Sequence, residues 1–147
     1  MIEMAVVLLI IAVIAAFVVP QVVTYMKMYR LGIAARNVAT ALQRARFLAT
    51  SDNKRAGINI SDLQRIDIEE YDNDGLAEPQ KKGAVILPEG IVVTDESPRK
   101  VAFDGRGVVT PLPRESPAIR INGADGYYAV VMVSPTGQIT ISDSKRQ

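Results

Sequence analysis

The chain begins with a long apolar run that contains almost no polar position. Sixteen consecutive apolar residues occupy positions 4–19, and Glu3 carries the only charge among the first 26 residues. At a rise of about 1.5 Å per residue, a helix over residues 4–23 is about 30 Å long, which matches the hydrocarbon thickness of a bilayer. The pattern predicts a helix that can lie in lipid, with a carboxylate at its N-terminal edge. A cleavable signal peptide is disfavoured, because such peptides begin with basic residues and have shorter apolar runs.

Residues 21–51 change to the periodicity of an amphipathic helix. Pro20 is followed by no further proline before residue 51, and good helix formers dominate. Apolar residues recur at spacings of three and four, and the arginines largely lie off this stripe. The stripe consists of Leu31, Ala35, Val38, Leu42, Ala45 and the pair Leu48 and Ala49. We therefore expect one helix of about fifty residues that ends at the turn-forming cluster 51–54. Because proline removes a backbone donor and clashes with the preceding turn, Pro20 predicts a kink or local opening around residues 16–19.

After residue 54 the period of the pattern falls to two, as in half-buried antiparallel strands. Short strands are predicted at 57–60, 66–69, 84–87, 90–93, 101–103, 108–110, 118–121, 127–133 and 139–141. Residues 128–133 are apolar on both faces, which predicts a central strand. The fold class is α+β, with a long N-terminal α-helix packed on an antiparallel β-sheet domain. We divide the chain into a hydrophobic membrane-spanning part (1–26), the amphipathic half of the same helix (27–51) and a β-rich head (52–147).

Composition and charge narrow the range of functions. The chain has no Cys and no His, so it lacks thiolate chemistry, the usual proton shuttle and the commonest metal ligand, and we predict that it is not an enzyme. Residues 27–65 carry eight basic and two acidic side chains, whereas residues 66–147 carry nine basic and thirteen acidic ones. The basic middle can lie near phospholipid head groups or steer subunits together. The acidic end makes nucleic acid an unfavourable partner.

The segment around Asp72, Asp74 and Glu78 has two interpretations. Alternating carboxylates before Gly75 can offer oxygen ligands to calcium, although the full twelve-residue loop spacing is absent. Asp74-Gly75 is also a strong hairpin-turn signal by itself. We favour the turn and expect no cofactor, with calcium as the open alternative. The stretch 103–107 similarly reads as a turn, with an anion-binding backbone nest as its alternative.

The N-terminal pattern resembles a known family. Ile2-Glu3-Met4, the aliphatic run, and Pro20 seventeen residues after Glu3 resemble the N-terminal helix of type IV pilins and type II secretion pseudopilins. Met1 lies where that family has its third mature residue. Farther along, the head resembles GspH/FimT-like pilins and pseudopilins through 87–93 (LPEGIVV), 101–105 (VAFDG) and 131–141 (VMVSPTGQITI).

The resemblance implies a structural role. In this family, a leader peptidase removes a basic leader, the new N-terminus is methylated, and subunits wait in the bacterial inner membrane with the head outside the cytoplasm. An inner-membrane assembly platform then packs them into a homo-oligomeric helical filament, extracellular or periplasmic, whose core is the apolar helix. Glu3 is expected to pair with a neighbour's amino terminus, so Glu3 and Met1 are the predicted assembly residues. The basic residues after the apolar run would by themselves place the head in the cytoplasm, so the orientation depends on the resemblance.

Two alternative functions remain within the same family. The chain could be a minor subunit that initiates or caps a type II secretion pseudopilus or a pilus. It could also be a DNA-binding minor pilin, which would need a basic patch with accessible aromatic residues on the head.

Overall fold

The computed structural model describes residues 2–72, 78–110 and 116–146, and within them the chain forms one α-helix followed by nine strands. The elements are α1 (Ile2–Asp52), β1 (Arg55–Asp62), β2 (Arg65–Tyr71), β3 (Gln80–Ile86), β4 (Val92–Val93), β5 (Lys100–Phe103), β6 (Val109–Thr110), β7 (Ala118–Asn122), β8 (Tyr127–Val133) and β9 (Ile139–Arg146). A short 3₁₀ turn, Ala124–Gly126, precedes β8. The predicted fold class, a long helix packed on antiparallel sheet, is confirmed.

The helix ends where the turn-forming cluster predicts. Asn53 has a positive φ of 50°, and the N–H of Lys54 donates to the carbonyl of Ala49 over 3.2 Å. This arrangement, with a left-handed residue just after the last helical turn, satisfies carbonyl groups that the helix itself leaves unpaired. Asparagine tolerates the left-handed region better than most residues, which explains why the helix stops here.

The strands form two antiparallel sheets. One has five strands in the order β3-β2-β1-β5-β6, and the other has four in the order β4-β7-β8-β9. The predicted central strand, β8, lies between β7 and β9. Four strands, β1, β2, β3 and β9, are longer than their apolar pattern predicted, because polar residues at their ends still pair with the neighbouring strand. The sequence pattern did not predict the division into two sheets.

A single core lies between the two sheets and the second half of the helix. The helix contacts strands of both sheets, including β1 and β2 on one side and β8 and β9 on the other. Its buried face is rich in alanine, which allows the backbone to approach the strands closely. The largest fully buried side chains are Phe103, Leu31, Leu42, Ile58, Ile66, Ile68, Ile119, Ile121, Val38, Val93, Val131 and Val133. Because both sheets bury their inner faces against this helix, the head and the helix form one packed unit.

Two tight turns, one from each sheet, meet against the last part of the helix. Gly107 (φ 76°) lies in the β5–β6 turn and Gly137 (φ 81°) in the β8–β9 turn. The N–H of Val109 donates to the carbonyl of Pro135 over 3.1 Å and so links the two sheets. The Arg46 side chain lies against both glycines, and a Cβ at Gly137 would meet the Gly107 carbonyl oxygen. This junction therefore requires glycine both for backbone conformation and for space.

We expect Gly137→Ala to destabilise the head more than Gly90→Ala. Gly90 has nearly the same φ, 80°, but nothing lies within 4 Å of its Cβ position. The control should therefore lose only about 1 kcal/mol for the left-handed conformation. Gly137→Ala adds a backbone clash and should lose about 2–4 kcal/mol in free energy of unfolding. Thermal unfolding of the detergent-solubilised chain measures both variants, and equal losses would contradict the proposed close approach.

The outer face of the five-stranded sheet buries a charged network. Asp67 on β2 is completely buried, and its two oxygens accept hydrogen bonds from Arg65 Nε (2.9 Å) and Lys81 Nζ (3.0 Å). Burial by itself would raise the pKa of Asp67, but the hydrogen bonds from these two cations outweigh it and hold the pKa below its usual value. Beside it, Glu69 accepts from Asn59 (2.9 Å) and from the Tyr71 hydroxyl (2.9 Å). These partners bury the carboxylates of Asp67 and Glu69, which the alternation of apolar and polar residues along β2 would by itself place in solvent.

We expect Asp67→Asn to destabilise the protein at neutral pH, since Arg65 and Lys81 lose their shared carboxylate. The loss should be about 1–3 kcal/mol, as for hydrogen bonds to charged groups. Because the folded state lowers the pKa of Asp67, this stabilisation is complete above the usual value of 3.8 and is lost as pH falls through the lower folded-state pKa. Chemical unfolding as a function of pH measures the difference between wild type and variant.

The matched control for this prediction is Asp95→Asn. Asp95 also pairs with an arginine, Arg99, at 3.1 Å, but its side chain is 74% exposed. Such pairs contribute about 0–1 kcal/mol. A loss for Asp67→Asn that is no larger, or that does not shrink in acid, would contradict the buried ion-pair network.

Candidate assembly site

The first half of the helix is an apolar surface that nothing in the described chain covers. It is the one helix in the described residues that is long and apolar enough to cross a membrane, and its most apolar window has a mean hydropathy of 3.0 with none of it buried. Leu9 is 65% exposed and Ile14 is 57% exposed. Burying one such side chain contributes about 1.5–3 kcal/mol, so this surface demands lipid or other subunits.

Glu3 lies in the first turn of this helix and is exposed. A carboxylate at this position interacts favourably with the unpaired N–H groups at the positive end of the helix. In an apolar surrounding it would still need a cationic partner. Met1, the other predicted assembly residue, lies outside the described residues, so the pairing of Glu3 with an amino terminus stays a prediction.

The backbone is α-helical on both sides of Pro20 in the isolated chain. Pro20 predicts a kink or local opening around residues 16–19, and the carbonyl groups freed there must find other partners in lipid or in a filament. That opening stays a prediction for the assembled state.

Three aromatic side chains of the helix are strongly exposed. Tyr25, Tyr29 and Phe47 are each between 68% and 70% exposed. At 100° per residue they share one helix face, opposite the face that buries Leu31 and Leu42 in the head. Sequence analysis recorded only the buried stripe. The exposed aromatic residues also had a signal in the sequence, because all three fall at positions that the apolar stripe does not use.

The candidate calcium segment is only partly described. Asp72 and Glu78 are exposed and, with Glu70 and Lys54, line a small cavity of about 30 Å³. Lys54 Nζ lies 3.5 Å from a Glu70 oxygen, so the ammonium group of Lys54 already pairs with one of the acidic residues that line the cavity. Asp74 lies outside the described residues. Among those that are described, no three acidic side chains are grouped to hold a metal. The turn at Asp74-Gly75, which lies outside the described residues, stays the favoured prediction, and calcium stays the open alternative.

The stretch 103–107 forms the turn that we favoured over an anion-binding nest. The Asp104 carboxylate accepts the N–H groups of Arg106 and Val108, each at 3.0 Å, and also pairs with the Arg106 guanidinium. The hydrogen bond from Val108 contributes most to lowering the pKa of Asp104. The amides that a nest would offer to an external anion are thus used by the chain's own carboxylate.

No protein-family model matches the sequence, and no curated protein sequence matches it. The three-dimensional structure, however, is similar to several solved structures of low sequence identity. The minor pseudopilin EpsH from the type 2 secretion system of Vibrio cholerae is 16% identical, with a TM-score of 0.60 over 78% of this chain and 97% of that one. The type IV minor pilin FimU of Pseudomonas aeruginosa is 19% identical, with a TM-score of 0.62 over 80% of this chain and 92% of that one.

The chain has the pilin fold of type IV pilins and pseudopilins. In this pilin fold, the uncovered apolar helix projects from a head that is anchored to the second half of the same helix. Glu3 lies in the first turn of the projecting part. The predicted site is therefore an extended surface along one helix.

Proposed function

We propose that this chain is a structural subunit of a type IV pilus or pseudopilus filament and that it polymerises through its N-terminal helix. The observation that supports this most directly is a helix whose apolar half is uncovered while its other half is built into a folded head. A membrane anchor alone would explain the apolar surface. Polymerisation also accounts for the carboxylate at its tip and for the pilin fold of the head.

The proposed assembly begins in the bacterial inner membrane, with the helix in lipid and the head outside the cytoplasm. A leader peptidase prepares the N-terminus, and an assembly platform then moves subunits into the filament, either extracellular or periplasmic. In the filament core, Glu3 pairs with the amino terminus of a neighbouring subunit. Because an unpaired charge in an apolar surrounding costs several kcal/mol, this pairing fixes the axial register of the helices.

A second candidate role is that of a minor subunit that initiates or caps the filament. The supporting observation is that both structural neighbours are described as minor, EpsH as a minor pseudopilin and FimU as a minor pilin. Abundance in native filaments separates the two roles. A bulk subunit makes up most of the filament protein, whereas a minor one is present in few copies.

We expect Glu3→Gln to reduce filament yield at least about tenfold, because the neutral amide cannot neutralise a buried ammonium group and tenfold corresponds to only about 1.4 kcal/mol. The head should keep its thermal unfolding temperature, since Glu3 lies far along the helix from the core. Sheared filaments are quantified by electron microscopy and immunoblotting. The matched control is Glu96→Gln, which removes an exposed carboxylate from the head. Normal filament yield from Glu3→Gln would refute the proposed pairing.

In the assembled filament, we expect the helix to open locally around residues 16–19, because Pro20 cannot donate to the carbonyl four residues earlier. A filament structure determined by cryo-electron microscopy shows this directly. In Pro20→Ala filaments the same bonds should be closed. Unbroken hydrogen bonding from residue 12 to residue 31 in the wild-type filament would rule out a mechanical role for Pro20.

A further inference from the structure

The outer face of the four-stranded sheet carries an apolar surface around one arginine. We call it the Arg120 patch and define it as Arg120, Tyr128, Val130 and Met132. Arg120 pairs with Val130 across β7 and β8, and these residues alternate with ones that point into the core. Met132 is 41% exposed, and the other three side chains are half-buried. The patch is therefore a shallow, mostly apolar surface with a cation in it.

The Arg120 guanidinium stacks on an aromatic ring, and its Nε has no hydrogen-bond partner among the residues that the structure describes. The guanidinium carbon lies 4.2 Å from the centroid of the Tyr128 ring, and Arg120 Nε is buried. Its own backbone is fixed, because its N–H donates to Ser97 Oγ (2.9 Å) and its carbonyl accepts from the N–H of Thr94 (2.9 Å). No carboxylate pairs with it in the part of the chain that the structure describes. A stacked, oriented guanidinium of this kind matches a carboxylate.

Another segment of the head, residues 86–89, offers an apolar side chain and a carboxylate, which complement the apolar surface and the cation of the Arg120 patch. Ile86, at the end of the edge strand β3, is 71% exposed, which makes it the most exposed large apolar side chain described in the head. Three residues later, Glu89 is exposed at a turn that is closed by the Ile91 N–H to the Pro88 carbonyl (3.2 Å). Within the described residues, Glu89 has no cationic partner. The segment 86–89 thus offers an apolar side chain beside a free carboxylate.

We propose that segment 86–89 of one copy docks on the Arg120 patch of a second copy, with Glu89 paired to Arg120 and Ile86 packed near Met132. This inference rests on the proposed filament function. The two surfaces differ and lie on different sheets, so their contact is head-to-tail and can repeat along a filament. Docking of two Arg120 patches on each other would instead bring like charges together.

The absence of cysteine from the chain allows a clean cross-linking test in native filaments. Two full-length chains with different tags are co-expressed, one with Ile86→Cys and the other with Met132→Cys, and the filaments are mildly oxidised. We expect a mixed disulfide dimer at least about fivefold more abundant than either same-type dimer, since a disulfide needs the two Cα atoms within about 7 Å. The control pair replaces Ile86→Cys by Lys100→Cys, an exposed position on the five-stranded sheet, and should give no mixed dimer.

Charge reversal tests the ion pair within the same assay. Arg120→Glu on the Met132→Cys chain, or Glu89→Arg on the Ile86→Cys chain, should lower the mixed dimer about threefold. The two reversals together should restore it, which also shows that each variant folds. Lys100→Glu, with the same change of charge on the other sheet, should have no effect.

The outcomes separate this contact from the filament role. Filaments that contain both chains but no mixed dimer, or in which Met132→Cys captures a different protein, overturn the contact and leave the filament role intact. The contact is also overturned if each filament holds a single copy. If the chain enters no filament, the proposed function fails and the contact fails with it.

Discussion

The apolar surface of the first half of the helix is the constraint on which the other features of this protein depend. Its side chains are about half to two-thirds exposed, and the head covers none of its most apolar window. Water is an unfavourable surrounding for so much apolar area, so the helix needs an apolar environment. Lipid and a bundle of identical helices both meet that need. In the proposed filament, the bundle would also offer Glu3 a cation, the amino terminus of another chain.

The second half of the helix connects the apolar half to the head, because it is packed into the core of the head. The core fills the space between the helix and two sheets, and the turns around Gly107 and Gly137 meet the helix at Arg46. Because one helix contains both halves, the position of the apolar half constrains that of the head, and Pro20 is the point where the helix can bend. Contacts between heads, such as the one proposed between segment 86–89 and the Arg120 patch, would then act on subunits whose spacing the helices already determine.

Sequence analysis predicted the helix, its end near residue 51 and all nine strands, because each has a local signal in periodicity or turn residues. It did not predict that the strands divide into two sheets, because periodicity shows which face of a strand is buried and not which strand lies beside it. The same limit applies to Asp67, whose burial depends on Lys81 from a neighbouring strand. The three exposed aromatic residues of the helix were visible in the sequence, but their exposure became clear only because the opposite face of the helix packs against the head.

The sequence by itself determined which segment is apolar on all sides, where the helix stops and which residues alternate along each strand. These properties depend mainly on neighbouring residues along the chain. The tertiary structure decided which polar groups have partners. Asp67 is satisfied by two cations, whereas Arg120 is left with an aromatic ring alone, because hydrogen bonds and ion pairs act over a few ångströms and depend on how distant strands come together.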